Sequence, residues 1–264
     1  MISRYGSLVL CYIDDVIIAT ETLEDHLVRL KEVLTCLRDA GLKLKPGKCE
    51  ILKKSVKYLG RVIDGNGMYP DPEQAQSIEE WIEPRNHKEM QSFLGLSNYY
   101  RDFIINYAEK AKPLTELTKT TKDYEWSDEA QRAFDLLKKE LCSNPILALP
   151  VSDGMFYLDT DASDVAISGI LHQEQEWKDR KVLRPVCYGS RVLNEAEQRY
   201  GAPKAEMLAV VFFVEKFRCF LAGRKFVLRV DNQALSWLKT YSMDLRMIGR
   251  WITRLDQYHF EIQH

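Results

Sequence analysis

Apolar and polar positions alternate in three regimes along the chain. Leu8–Ile13 and Val16–Ala19 are short apolar runs, the second rich in β-branched residues, on either side of Asp14-Asp15. That pattern predicts a hairpin. Leu27, Leu30, Val33, Leu34 and Leu37 then recur at helical spacing, predicting a helix from Glu24 to Ala40 that Gly41 stops. Strand-like pieces follow at Cys49–Leu52 and Val56–Ile63, with a turn at Asp64-Gly65-Asn66-Gly67. From Pro70 to about Leu141 the spacing is helical, broken at Pro84, Pro113 and Ser127. Ser127-Asp128-Glu129 is a helix start with Ala133, Phe134, Leu137 and Leu141 as its buried stripe. Asn144-Pro145 and Pro150 mark a linker.

Strand patterns return at Phe156–Asp161, Ala166–His172, Val182–Ser190 and Phe226–Val230, with helices predicted over Pro203–Ala222 and Leu245–Tyr258. No internal repeat or low-complexity segment occurs. The order β-rich, then α, then mixed α/β predicts a multidomain chain. At 264 residues it has room for two or three cores.

Composition changes this picture little. Hydrophobic residues make up 45% and charged residues 29%, which argues against disorder. The net charge is -2, but its distribution is uneven. Lys31 to Arg61 holds nine Lys/Arg against three acids, while Tyr69 to Arg85 holds five acids and one Arg. A basic face suited to phosphates can hide in such a total, and so can two ordinary solvated faces. The six cysteines are scattered with no C-x-x-C pair, so zinc-ligand spacing is absent and reduced thiols in an intracellular setting are expected. Nothing at the N-terminus has the form of a signal peptide. The longest apolar run, Met207 to Val214, is too short to span a bilayer.

Several carboxylates stand where apolar residues would be expected. Asp159 and Asp161 end a strand and share one face by alternation. Glu206 lies in a helix's first turn, in line with Val210, Phe213 and Phe217, and Asp231 follows the strand Phe226–Val230. Converging buried acids repel unless paired or bound to metal, and hard cations such as Mg²⁺ or Mn²⁺ take oxygen ligands. Two such ions suit phosphoryl displacement. Turn formation, helix capping and the helix dipole explain the same residues without a metal. Asp14-Asp15 raises the same pair of readings at a hairpin tip with apolar flanks.

Tyr12-Ile13-Asp14-Asp15 resembles the Y-x-D-D motif of reverse transcriptases. Lys48-Cys49-Glu50 and Tyr58-Leu59-Gly60 resemble the palm segments and primer grip that follow it. Ser92 through Arg101, and Trp126 followed by Ala130 and Phe134, resemble the thumb of gypsy-type LTR retrotransposon polymerases. Thr160-Asp161-Ala162-Ser163, Ala205-Glu206-Met207-Leu208-Ala209 and Val230-Asp231-Asn232-Gln233 resemble the ordered acidic motifs of ribonuclease H. The resemblance covers nearly the whole chain.

It implies a fold of mixed α+β and α/β class: the back of a polymerase palm over residues 1–69, a helical thumb or connection over 70–148, and a ribonuclease H-like domain with a mixed sheet over 149–264. It implies Asp14 and Asp15 as palm metal ligands and Tyr58, Leu59 and Gly60 as primer contacts. Asp161, Glu206 and Asp231 become the ribonuclease H ligands, with two Mg²⁺ or Mn²⁺ ions per site. Asp159 matches no motif position and counts only as support.

The implied activity is hydrolysis of the RNA strand of RNA–DNA hybrids, within a parent RNA-directed DNA polymerase that also handles primer-template. The alternative is a non-catalytic nucleic-acid-binding module or a decayed remnant. Residues near Lys178–Arg184 and Lys31–Arg61 are expected phosphate contacts. The setting expected is cytoplasmic or within retroelement particles, neither membrane-bound nor secreted. The family's fingers and front palm, with a third catalytic Asp, would lie ahead of Met1, and a fourth ribonuclease H acid beyond His264. The expectation is therefore no DNA synthesis by this chain alone.

Overall fold

A computed structural model describes residues 8–20, 22–119, 124–143, 145–230 and 246–263. The chain divides into two compact units, Met1–Asn66 and Gly67–His264.

In the first unit, β1 (Leu8–Tyr12) and β2 (Asp15–Ala19) pair antiparallel, closing at Tyr12↔Asp15. Helix α1 (Leu23–Asp39) starts where Thr22 Oγ1 accepts the Asp25 N–H at 3.2 Å. Gly41, at φ 72°, carries the chain out of it. Two strand expectations are corrected. Cys49–Leu52 is irregular. Val56–Ile63 is a hairpin, β3 (Ser55–Tyr58) and β4 (Arg61–Asp64), because Leu59 (φ 48°) and Gly60 (φ 63°) both adopt the left-handed turn that matches strand twist. Among the described residues of this unit only Ile17 and Val62 are buried hydrophobics, and none of α1 is buried.

The second unit opens with β5 (Gly67–Pro70), bridged by Met68 to Leu147 through a pair of 2.8 Å backbone hydrogen bonds. The long helical region resolves into α2 (Pro72–Glu79), α3 (His87–Tyr99), α4 (Tyr107–Lys110), α5 (Lys112–Glu116) and α6 (Asp128–Cys142). Ser127 caps α6 as its sequence predicts, accepting from Ala130 N at 3.2 Å. Phe93 and Phe134, ring centroids 4.6 Å apart, centre a core with Met90, Leu114, Leu137 and Leu141.

The remainder is a five-stranded sheet: β6 (Phe156–Ala162), β7 (Ala166–Trp177), β8 (Arg180–Val192), β9 (Lys225–Arg229) and β10 (His259–Gln263), in order β10-β9-β6-β7-β8. β6, β7 and β8 form an antiparallel meander, while β9 runs parallel to β6 and β10 parallel to β9. Lys178 and Asp179, at φ 51° and 61°, turn β7 into β8, so both strands are longer than their apolar cores suggest. The predicted helix over 203–222 breaks at Phe217 into α7 (Ala202–Lys216) and α8 (Arg218–Leu221). A last helix, α9, spans Arg246–Leu255.

Phe156, Leu158, Ile167, Leu171 and Val186 meet Val210, Phe213 and Val214 of α7 in one core. Gly169 and Gly189, opposite each other on β7 and β8, make room for Phe213. A Cβ on either would stand 2.4 or 2.7 Å from its ring.

Adding that one carbon as Gly169→Ala should cost about 1–3 kcal/mol by overpacking. Urea unfolding of the single variant and of Gly169→Ala/Phe213→Leu checks this, with partial recovery expected in the double. A second prediction concerns Glu197. Arg191 holds it at 2.7 and 3.0 Å, and it exchanges hydrogen bonds with Asn194 in a capping box. The Arg191 hydrogen bond first, opposed by burial and aided by the Asn194 N–H, keeps its carboxyl below the ordinary range. A depressed folded-state pKa stabilises above the unfolded value, about 4.3, and that gain disappears as pH falls through the folded value. Denaturation at stepped pH should show the difference between wild type and Glu197→Gln shrinking below about pH 4.

Candidate functional site

β6 sorts its side chains by face. Phe156, Leu158 and Thr160 are buried, while Tyr157, Asp159 and Asp161 lie on the other side, as alternation predicts. Asp161 opens into a small pocket lined also by Asn106, Glu109, Ser163, Ser168 and Ser190. Every polar side chain there offers oxygen, and none is His or Cys. That donor set fits a hard divalent cation. Asn106 and Glu109, at the head of α4, carried no motif and were not foreseen. They reach Asp161 because Ser190 of β8 accepts the Ala108 N–H at 2.8 Å and holds α4 on the sheet.

Glu206 is the fifth residue of α7, just past the first turn in which the sequence had placed it, half-buried, with one carboxylate oxygen shielded from solvent. α7 packs on the Leu158 side of the sheet, opposite the face that carries Asp161. Asp231 lies outside the described residues. Among the described residues no three acidic, His or Cys side chains gather as a metal cluster.

Asp159 is committed elsewhere, which corrects its place among converging acids. Arg229 of β9, directly opposite in register, donates to both its oxygens at 2.5 and 2.6 Å, and His172 Nδ1 lies 3.2 Å from Oδ2. Burial alone would raise the Asp159 pKa. The His172 and Arg229 hydrogen bonds and charges outweigh it and hold the carboxyl below the ordinary range. Arg229 also lies over the Tyr157 ring at 5.5 Å. In the sequence Arg229 stands two residues before Asp231, as Asp159 does before Asp161. That shared offset was the available signal for the pair.

In the first unit the hairpin separates the two adjacent acids. Ile13 and Asp14 form the two-residue turn, and Asp15 already belongs to β2. Ile13 is 83% exposed with φ 55°, a costly conformation for a β-branched residue. Tyr58, which ends β3, has its pKa raised by desolvation first and then by the Asp15 and Cys11 charges. Leu59 and Gly60 are the β3–β4 turn itself.

Residues 1–63 match the family model for reverse transcriptase (RNA-dependent DNA polymerase), and residues 126–228 match that for an RNase H-like domain found in reverse transcriptase. The Pol polyprotein of transposon 297 from Drosophila melanogaster is 40% identical over 256 residues, 97% of this chain. That of transposon gypsy, from the same fly, is 33% identical over 272 residues, 98% of the chain. The chain carries reverse-transcriptase and RNase H-like segments similar to those of retrotransposon Pol polyproteins, gypsy among them. It spans about a quarter of those relatives, 23% and 26% of their lengths. Two solved structures of a foamy viral protease-reverse transcriptase share its fold at 24% identity. One, in complex with double-stranded DNA, has a TM-score of 0.78 over 97% of this chain and 54% of its own. The other, in complex with an RNA/DNA hybrid, has a TM-score of 0.77 over 96% and 35%.

This Pol segment has no helix, among its described residues, long and apolar enough to cross a membrane. Of its expected phosphate contacts near the β7–β8 turn, two are occupied. Arg184 stacks on Trp177 at 4.0 Å, with its pKa lowered by burial, and Lys181 pairs with Glu174 at 3.3 Å. Lys178 and Arg180 stand exposed.

Asp159→Asn should destabilise the second unit by about 1.5–3 kcal/mol, since charged hydrogen bonds carry that much. Asp161→Asn should leave thermal unfolding almost unchanged. Equal losses in both variants would contradict the separation of roles.

Proposed function

We propose that this Pol segment hydrolyses the RNA strand of RNA–DNA hybrids through its sheet-bearing unit. The observation that carries the reading is the oxygen-lined pocket at Asp161, on a motif shared with ribonuclease H. Asp161, Glu206 and Asp231 would hold two divalent ions, Mg²⁺ or Mn²⁺. Such ions, when bound, supply charge stabilisation for the attacking and leaving oxygens of a phosphodiester. The protein's part is to aim its carboxylates. β6 delivers Asp161 at the end of its ladder, and α7 carries Glu206 as its fifth residue. Hybrid is chosen by groove shape and the RNA 2′-hydroxyls rather than by base sequence. Lys178 and Arg180, with the lysines between Lys31 and Arg61, contact phosphates.

Within a whole Pol protein, Asp14 and Asp15 would serve RNA-directed DNA synthesis as metal ligands, and Tyr58, Leu59 and Gly60 would hold the primer end of a primer-template. An intracellular setting, cytoplasmic or within retroelement particles, follows from this reading. Three-way division at residues 69 and 148 is the corresponding domain proposal. A second reading, binding without hydrolysis, is favoured by the absence of a three-acid cluster among the described residues.

The test is incubation of the full chain with a labelled hybrid in Mg²⁺ or Mn²⁺. Metal-dependent cutting of the RNA strand is expected, reduced more than about 100-fold in Asp161→Asn. Hybrid binding should weaken steeply between about 50 and 200 mM salt. Salt-sensitive binding without cleavage would establish the second reading instead.

A further inference from the structure

We propose that Asp159 and Arg229 are positioning residues that set the Asp161 carboxylate for its cation. What Asp161 does rests on the nuclease reading above, but how it is held is read from the sheet. β6 and β9 are parallel, joined only through a long crossover that contains β7, β8 and α7. Parallel ladders pair slightly less stably per residue than antiparallel ones, so side-chain pairs across them weigh more on register. This ladder runs from Phe156↔Phe226 to Asp159↔Arg229, its last pair among the described residues. Past that pair β6 continues three more residues against β7, through Thr160↔Gly169 and Asp161↔Ser168 to Ala162↔Ile167.

Asp161 therefore sits just beyond the point where β6 loses its described parallel neighbour. The Arg229 fork closes the ladder there with two hydrogen bonds to one carboxylate. A bidentate pair fixes direction as well as distance, which a single contact cannot do. A slip of one residue would break the pair and turn Asp161 to the opposite face of the sheet. His172 Nδ1 of β7 lies 3.2 Å from the same carboxylate, so side chains of all three strands meet at Asp159.

The experiment is a Mn²⁺ titration of the full chain, followed by the magnetic resonance signal of free Mn²⁺, beside hybrid-cleavage kinetics. Variants are Asp161→Asn, Asp159→Asn, Arg229→Gln and the swap Asp159→Arg/Arg229→Asp, each checked for folding by circular dichroism and thermal unfolding. Expected are Asp161-dependent Mn²⁺ binding, affinity about 10–100-fold weaker in Asp159→Asn and Arg229→Gln, kcat lowered with KM for hybrid unchanged, and recovery in the swap. Folded single variants that bind Mn²⁺ and turn over like wild type would overturn the positioning role and leave the nuclease reading intact. Wild type that binds Mn²⁺ through Asp161 but cuts nothing would overturn the nuclease reading, while weaker binding in the single variants would still support positioning. No Mn²⁺ binding by wild type would overturn both.

Discussion

A strand has two faces, and β6 spends them on different things. Phe156 and Leu158 enter the core that Phe213 closes from α7, while Tyr157, Asp159 and Asp161 stay on the other side. This alternation lets a hydrophobic core and a row of charge share one strand. Its anchor is the seating of Phe213 over the paired glycines of β7 and β8. A side chain at Gly169 or Gly189 would lift α7 from the sheet, and with it Glu206 near the start of that helix.

On the outer face charge is handled in two ways within three residues. Asp159 is half-buried, and its desolvation is compensated by Arg229 and His172. Asp161 faces a pocket of hydroxyl, amide and carboxylate oxygens instead. One carboxylate is satisfied by the protein and is structural. The other is left for something from outside. The contrast comes from neighbours on β9, β7 and α4, since both residues have the same backbone and the same side chain.

The two units differ in how far they satisfy themselves. The sheet and helices of Gly67–His264 bury two aromatic-rich cores. Among the described residues, the hairpins and α1 of Met1–Asn66 bury almost nothing. In that unit, interest lies in turns: Ile13 and Leu59, both apolar, hold left-handed conformations at hairpin tips where Asn or Gly would be easier.

Much of this was legible in the chain itself. Helical spacing located α1 and α6, a capping serine placed the start of α6, and period-two alternation put Asp159 and Asp161 on one face. Ordered acidic motifs named the family. These are local or additive signals, carried by neighbours a few residues apart. Tertiary structure alone decided that Asp159 belongs to Arg229, 70 residues away, and that Asn106 and Glu109 stand beside Asp161. It also broke Val56–Ile63 at Leu59-Gly60, a turn the β-rich flanks conceal. Hydrophobic period records which side of an element is buried, but partners across a sheet are chosen by register and crossover, which depend on contacts between distant segments.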